Sequence, residues 1–88
     1  MLMKVVFYGS LLEQTKGENS ISIKNCPTLR HLLDELENRY GGNIGNLIAE
    51  GGTYLLIVNG KGVKAAGGLD TGLNEGDIIE ILPTFDAG

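Results

Sequence analysis

The chain has 88 residues, 42% of them hydrophobic and 20% charged, with 7 Lys+Arg against 11 Asp+Glu and a net charge of −4. That length holds one domain and one compact core, without a deep cleft between two domains. The acidic balance excludes the clustered positive charge that nucleic acid or anionic lipid requires. A single cysteine, Cys26, excludes an internal disulfide framework and any multi-thiolate metal centre.

Residues 3–8, Met-Lys-Val-Val-Phe-Tyr, are β-branched and aromatic and predict a strand with Met3, Val5 and Phe7 on one face. This apolar run is too short for a secretory leader. No run in the chain approaches the roughly 18–20 residues that cross a bilayer. A cytoplasmic location, with no membrane or nucleic-acid partner, is the expectation. Gly9 ends the run. Residues 20–24, Ser-Ile-Ser-Ile-Lys, alternate as a half-buried strand with Ile21 and Ile23 inward. The polar stretch between these two strands makes them a hairpin with a long loop.

Pro27-Thr28 opens a helix, with the Thr28 hydroxyl as N-cap. Leu29, Leu32, Leu33, Leu36 and Tyr40 form one apolar stripe. Gly41-Gly42 stops the helix. Ile44, Leu47 and Ile48 suggest a short helical turn. Residues 54–58, Tyr-Leu-Leu-Ile-Val, are a continuous apolar run, suited to a strand buried on both faces or to one whose second face meets a partner. Asn59-Gly60 predicts a type I′ hairpin into residues 61–65. A turn-rich connection over 69–77 leads to a last strand over 78–82, ended by Pro83. Only two of the 14 glycines, Gly9 and Gly17, precede residue 41, so the second half is the loop-rich one. One helix covers one face of a sheet. The fold class is therefore α+β, two layers, a mixed sheet of four or five strands with one main helix across one face. Residues 1–83 form the domain and 84–88 a flexible C-terminal tail.

Groups for internal catalysis are sparse. His31 sits beside the apolar stripe without a carboxylate partner and reads as a solvated surface residue. Cys26 stands just before the helix, where a dipole can activate a thiol, but a lone cysteine more commonly packs as a small hydrophobe. Asp34, Glu35 and Glu37 form a solvated helix face. Gly60-Lys61-Gly62 lacks the Lys-Ser/Thr ending of a phosphate loop. No metal site or bound cofactor is expected. The tail, Thr84-Phe85-Asp86-Ala87-Gly88, remains. It reads either as a frayed end or as the reactive group itself. A terminal carboxylate becomes an acyl donor only as a mixed anhydride with phosphate, and a narrow enzyme channel favours residues without bulk, as at Gly88.

Four segments resemble the ubiquitin-like sulfur-carrier proteins of the molybdopterin-synthase small-subunit and ThiS group, which share the β-grasp fold. They are residues 4–9, Lys-Val-Val-Phe-Tyr-Gly, followed by Leu12-Glu13 and Gly17; residues 28–33, Thr-Leu-Arg-His-Leu-Leu; residues 56–60, Leu-Ile-Val-Asn-Gly; and residues 70–83, which close on Leu-Asn-Glu-Gly-Asp-Ile-Ile-Glu-Ile-Leu-Pro. Length and the Phe-Tyr-Gly opening are nearer the molybdopterin branch, and small archaeal-type protein modifiers are similar too. The resemblance implies that Gly88 is adenylated by an E1-like enzyme using ATP and converted to a thiocarboxylate. That thiocarboxylate then donates sulfur in molybdopterin biosynthesis, within a complex with a larger catalytic synthase subunit. It implies a carrier rather than an enzyme, with Phe85, Asp86 and Ala87 presenting the terminus. The family usually ends Gly-Gly; here Ala87 adds a methyl in the channel. A modifier joined to lysines through Gly88, or a binding module that conjugates nothing, are the alternatives. For docking, Val6, Tyr8, Leu55, Ile57 and Phe85 would form an apolar patch on the sheet face away from the helix, unless the loop over residues 41–52 covers it.

Overall fold

The computed structural model describes residues 2–41, 44–49, 54–63 and 68–83. Its strands are β1 (Leu2–Phe7), β2 (Ser20–Lys24), β3 (Tyr54–Val58), β4 (Lys61–Val63) and β5 (Ile78–Pro83), and its α-helices are α1 (Leu29–Tyr40) and α2 (Ile44–Ala49). The sheet order is β2-β1-β5-β3-β4. The central pair, β1 and β5, is parallel; every other neighbouring pair is antiparallel. This is the mixed five-stranded sheet of a β-grasp domain, with α1 as its main helix. The expected strands recur within a residue at each end, except for the far end of β4. Pro83 is the last residue of β5 rather than the one after it, paired with Tyr54. The β1–β2 connection holds a 3₁₀ helix, Gly9–Glu13, that the polarity of the segment did not predict.

Period-2 alternation divides the sheet into two faces. Met3, Val5 and Phe7 of β1, Ile23 of β2, Leu56 of β3 and Ile79 and Ile81 of β5 are buried on the inner face. The stripe of α1, Leu29, Leu32, Leu33 and Leu36, lies against them. Truncating a buried leucine of this kind to alanine costs about 2–5 kcal/mol. Ile44 and Ile48 bring α2 into the same core, beside α1 and β3. Tyr40 closes the end of the stripe: its ring meets Phe7 edge-on at 5.9 Å and 87°. Its hydroxyl donates to Glu18. Burial, with the help of that bond, pushes the Tyr40 pKa up to about 12. In the same loop Thr15 is fully buried, and its hydroxyl donates to the Glu18 carbonyl at 2.7 Å.

The start of α1 shows how the helix end is satisfied. Thr28 is extended (φ −140°, ψ 166°), and its Oγ1 accepts the His31 N–H. The next free donors go to the 68–73 connection: Leu29 N–H to the Thr71 carbonyl and Arg30 N–H to the Leu69 carbonyl. These are donors that an isolated helix leaves unpaired. The Arg30–Asp70 ion pair at the same place is exposed and contributes little. Gly41 ends the helix at a positive φ of 115°.

The β3–β4 turn is the type I′ hairpin expected, with φ +52° at Asn59 and +86° at Gly60. Residues 64 and 65, predicted to extend β4, lie outside the described residues. Asn59 also reaches across the sheet: its Oδ1 accepts the Ile78 N–H at 3.0 Å and its Nδ2 donates to Asp77 Oδ1 at 2.8 Å. The other carboxylate oxygen of Asp77 accepts the Asn74 N–H at 2.8 Å. Asp77 thus clamps the turn before β5 to the hairpin, and the Asn74 N–H, then Asn59, hold its pKa below the usual carboxylate range. A carboxylate with a lowered folded-state pKa contributes stability above its unfolded value of about 4 and loses it as pH falls through the folded value. Asp77→Asn turns an amide donor toward one of two donors. Its stability deficit against the native chain, about 1–3 kcal/mol at pH 7, should shrink below about pH 4. Urea titrations at both pH values measure it; a deficit constant with pH would show that the charge of Asp77 is not what holds the clamp.

Candidate functional site: the outer sheet face and the end of β5

Residues out of phase with the core form the outer face. In β1 these are Leu2, Lys4 and Val6, with Tyr8 just beyond; in β5 they are Ile78, Glu80 and Leu82; in β3, Leu55 and Ile57. Strand register sets them in rows. Val6 stands opposite Glu80, and Glu80 opposite Ile57. Leu55 stands opposite Leu82, and Lys4 opposite Ile78. Leu2, Tyr8 and Ile78 are 44%, 41% and 45% exposed, high values for side chains of this kind. Val6, Leu55, Ile57 and Leu82 are half-buried, and none packs on the core cluster. The four sheet residues expected at a docking patch, Val6, Tyr8, Leu55 and Ile57, therefore share one face. Residues 44–49, the described helical part of the 41–52 segment, send Ile44 and Ile48 into the core on the opposite side.

Sequence reading missed Ile78, Leu82 and Glu80 on this face. Their alternation with Ile79 and Ile81 was visible; the neighbours that β1 and β3 provide were not. Phe85, Asp86, Ala87 and Gly88 lie outside the described residues.

The central strand, β5, ends at Pro83, in phase with the inner-face residues Ile79 and Ile81. The Tyr8 N–H donates to the Ile81 carbonyl at 3.1 Å, carrying the β1–β5 ladder one step past the end of β1. Gly9 follows at φ +64°, against the Pro83 ring. A Cβ on Gly9 would fall 2.7 Å from Pro83 Cγ. On the other flank Tyr54 pairs with Pro83, and its hydroxyl is 3.2 Å from Ser10 Oγ. The last residue of β5 is therefore held between the first turn after β1 and the start of β3. An open groove of about 380 Å³ runs alongside, lined by Lys4, Val6, Tyr8, Gly9, Asn19 and Ser20 among others.

The polar chemistry of the face centres on Glu80. Its Oε2 accepts the Tyr8 hydroxyl at 2.7 Å, and that bond raises the Tyr8 pKa above its ordinary value. His31 and Cys26 are elsewhere. His31 is exposed on α1 with Nδ1 2.8 Å from Thr28 Oγ1. Cys26 is buried, 3% exposed, with its thiol on the Lys24 carbonyl. Burial, and then the nearby Glu35 charge, raises its pKa. A helix-activated thiol would show the opposite shift, so Cys26 is a packing residue. Asp34 is exposed, whereas Glu35 and Glu37 are half-buried. Glu37 lies over α2, with its Oε2 in the space a Cβ on Gly45 would take, so the acidic face of α1 is not wholly solvated. Among the described residues no group of three or more His, Cys, Asp or Glu side chains could hold a metal ion. Among the same residues no helix is long and apolar enough to cross a membrane. What the face offers is a surface for contact rather than a set of catalytic groups.

The sequence profile of the ThiS family matches residues 5–86. The chain belongs to the ThiS family. CysO of Mycobacterium tuberculosis is similar in structure, with a TM-score of 0.79 at 27% identity over 94% of this chain and 99% of that one. The Amycolatopsis orientalis BexX/CysO complex contains a chain with a TM-score of 0.78 at 28% identity, over 98% and 99%. The complex of subunits 1 and 2 of the molybdopterin-converting factor from Helicobacter pylori contains one with a TM-score of 0.66 at 25% identity, over all of both chains. No curated protein sequence matches significantly. Membership of the ThiS family supports a ubiquitin-like, sulfur-carrier role without catalysis by the chain itself. Complexes among its relatives fit a carrier that works on a partner protein.

The bracket at Pro83 can be tested against another positive-φ glycine. Gly17 has φ +84° with nothing within 4 Å of its would-be Cβ. Gly17→Ala meets only the backbone cost of about 1–2 kcal/mol. Gly9→Ala must also displace Pro83 and should cost about 1–3 kcal/mol more, the range for an overpacked site. Thermal denaturation of the two variants gives the difference; equal losses would remove the Pro83 contact as a constraint.

Proposed function

We propose that this protein is a cytoplasmic sulfur carrier with a body of residues 1–83 and a presenting tail of residues 84–88. An E1-like enzyme activates Gly88: the carboxylate attacks the α-phosphate of ATP, pyrophosphate leaves, and hydrosulfide from a sulfur donor attacks the acyl carbon and displaces AMP to give the thiocarboxylate. Phe85, Asp86 and Ala87 thread the partner's channel, while Val6, Tyr8, Leu55 and Ile57, with Phe85, dock the body. The observation that carries this reading is the end of β5. Pro83 is held at the end of the central strand, on the sheet margin that both faces share, and residues 84–88 follow it. Their covalent reach is at most about 17 Å. A partner seated on the outer face would have its active centre within this reach.

The sulfur acceptor we propose is a pterin precursor of molybdopterin, held by a larger catalytic synthase subunit. The likeness to one subunit of a two-subunit molybdopterin-converting factor supports it.

Incubation with the E1-like enzyme, ATP and a sulfur donor should replace one terminal oxygen of Gly88 by sulfur, read by intact mass. Ala87→Gly removes the methyl from the channel and should speed the conversion, while deletion of Ala87 and Gly88 should abolish it. Persistent absence of both adenylate and thiocarboxylate with the cognate enzyme would refute the carrier reading. A remnant of Gly88 in isopeptide linkage to lysine would mark a protein modifier instead.

A further inference from the structure

Glu80 is a carboxylate placed among apolar side chains. Val6 and Ile57 flank it across the sheet, and Ile78 and Leu82 stand on either side along β5. It is half-buried before any partner arrives. The Tyr8 hydroxyl satisfies Oε2. An ionised carboxylate accepts about four hydrogen bonds, so most of that capacity is open. Among the described residues no cation lies within ion-pair distance of Glu80; Lys4 stands one row away, opposite Ile78. Covering this position with apolar surface alone would strip water from a charge and return nothing.

We propose that the partner docking on this face meets it with an apolar surface centred on one arginine, whose guanidinium pairs with Glu80, and that Glu80 selects the partner by charge. The inference rests on the carrier reading and names the partner surface that reading requires. A guanidinium fits better than an ammonium. Its planar fork takes two acceptors at once, and the Tyr8 ring beside Glu80 offers a face on which it can stack. A partner with an acidic or purely aliphatic centre is rejected, because either leaves the carboxylate buried and unpaired.

The test exploits a difference of sign. Glu80→Gln keeps the shape and an acceptor for Tyr8 and removes only the charge. If an arginine faces position 80, the substitution leaves that arginine buried without its partner and weakens binding. If no cation faces it, the substitution removes a desolvation cost and strengthens binding. Calorimetric titration of the E1-like enzyme with the native chain, Glu80→Gln and Leu55→Asp gives the answer, with circular dichroism to establish that each variant is folded. The expected result is a loss of about thirtyfold or more for Glu80→Gln, a shallower dependence on salt, and loss of binding for Leu55→Asp. Unchanged or tighter binding of Glu80→Gln, with Leu55→Asp still impaired, overturns the arginine and leaves the docking face standing. A native chain that neither binds nor gains sulfur overturns the carrier reading and this inference together.

Discussion

The parallel pairing of β1 with β5 is the contact on which the rest of the molecule depends. It joins the first strand to the last, so Lys4 lies beside Ile78 and Phe7 beside Ile81. On the inner face it brings Val5 next to Ile79 and puts both under α1. On the outer face it completes a row, Val6 to Glu80 to Ile57, that neither strand holds alone. Parallel strands need a long crossover, and here β2 and both helices lie between them in sequence. The chain therefore closes its core and places the end of β5 beside its beginning in the same step.

The two faces of the sheet divide the work. Inner positions are apolar, most of them fully buried, and covered by two helices, and they hold the fold. Outer positions are half-buried or exposed and do nothing for the core. The contrast is sharpest within β3, where every residue is apolar yet only Leu56 is fully buried. A run of that composition departs from the alternation that a strand with one wet face usually shows. The departure is accounted for if Leu55 and Ile57 are kept for a surface that water leaves when a partner arrives.

Much of the fold was legible in the residues because local rules and the core agree. The stripe from Leu29 to Tyr40, the Thr28 cap, the Ser-Ile-Ser-Ile-Lys alternation and the Asn59-Gly60 turn each carry their own signal at a fixed spacing. The order of the strands carries none, since register between β1 and β5 is set by contacts far apart in sequence. Glu80 was hidden for that reason: as a single polar residue in a strand it looks like any solvated position, and only its neighbours on β1 and β3 make it unusual. The Gly9–Glu13 turn was missed because its residues mix loop and helix preferences, and packing of Leu11 into the core decides between them. The tail residues drew attention through family resemblance more than through composition.

The margins of the sheet bear on how the body can meet other chains. β2 and β4 are the outermost strands. β2 is short and carries exposed Ser20, Ser22 and Lys24; β4 spans three residues, beginning with an exposed lysine and followed by a glycine. Short, lysine-bearing borders are poor templates for lateral addition of another chain. With lateral addition disfavoured at both borders, the broad outer face is the side left for association with other proteins.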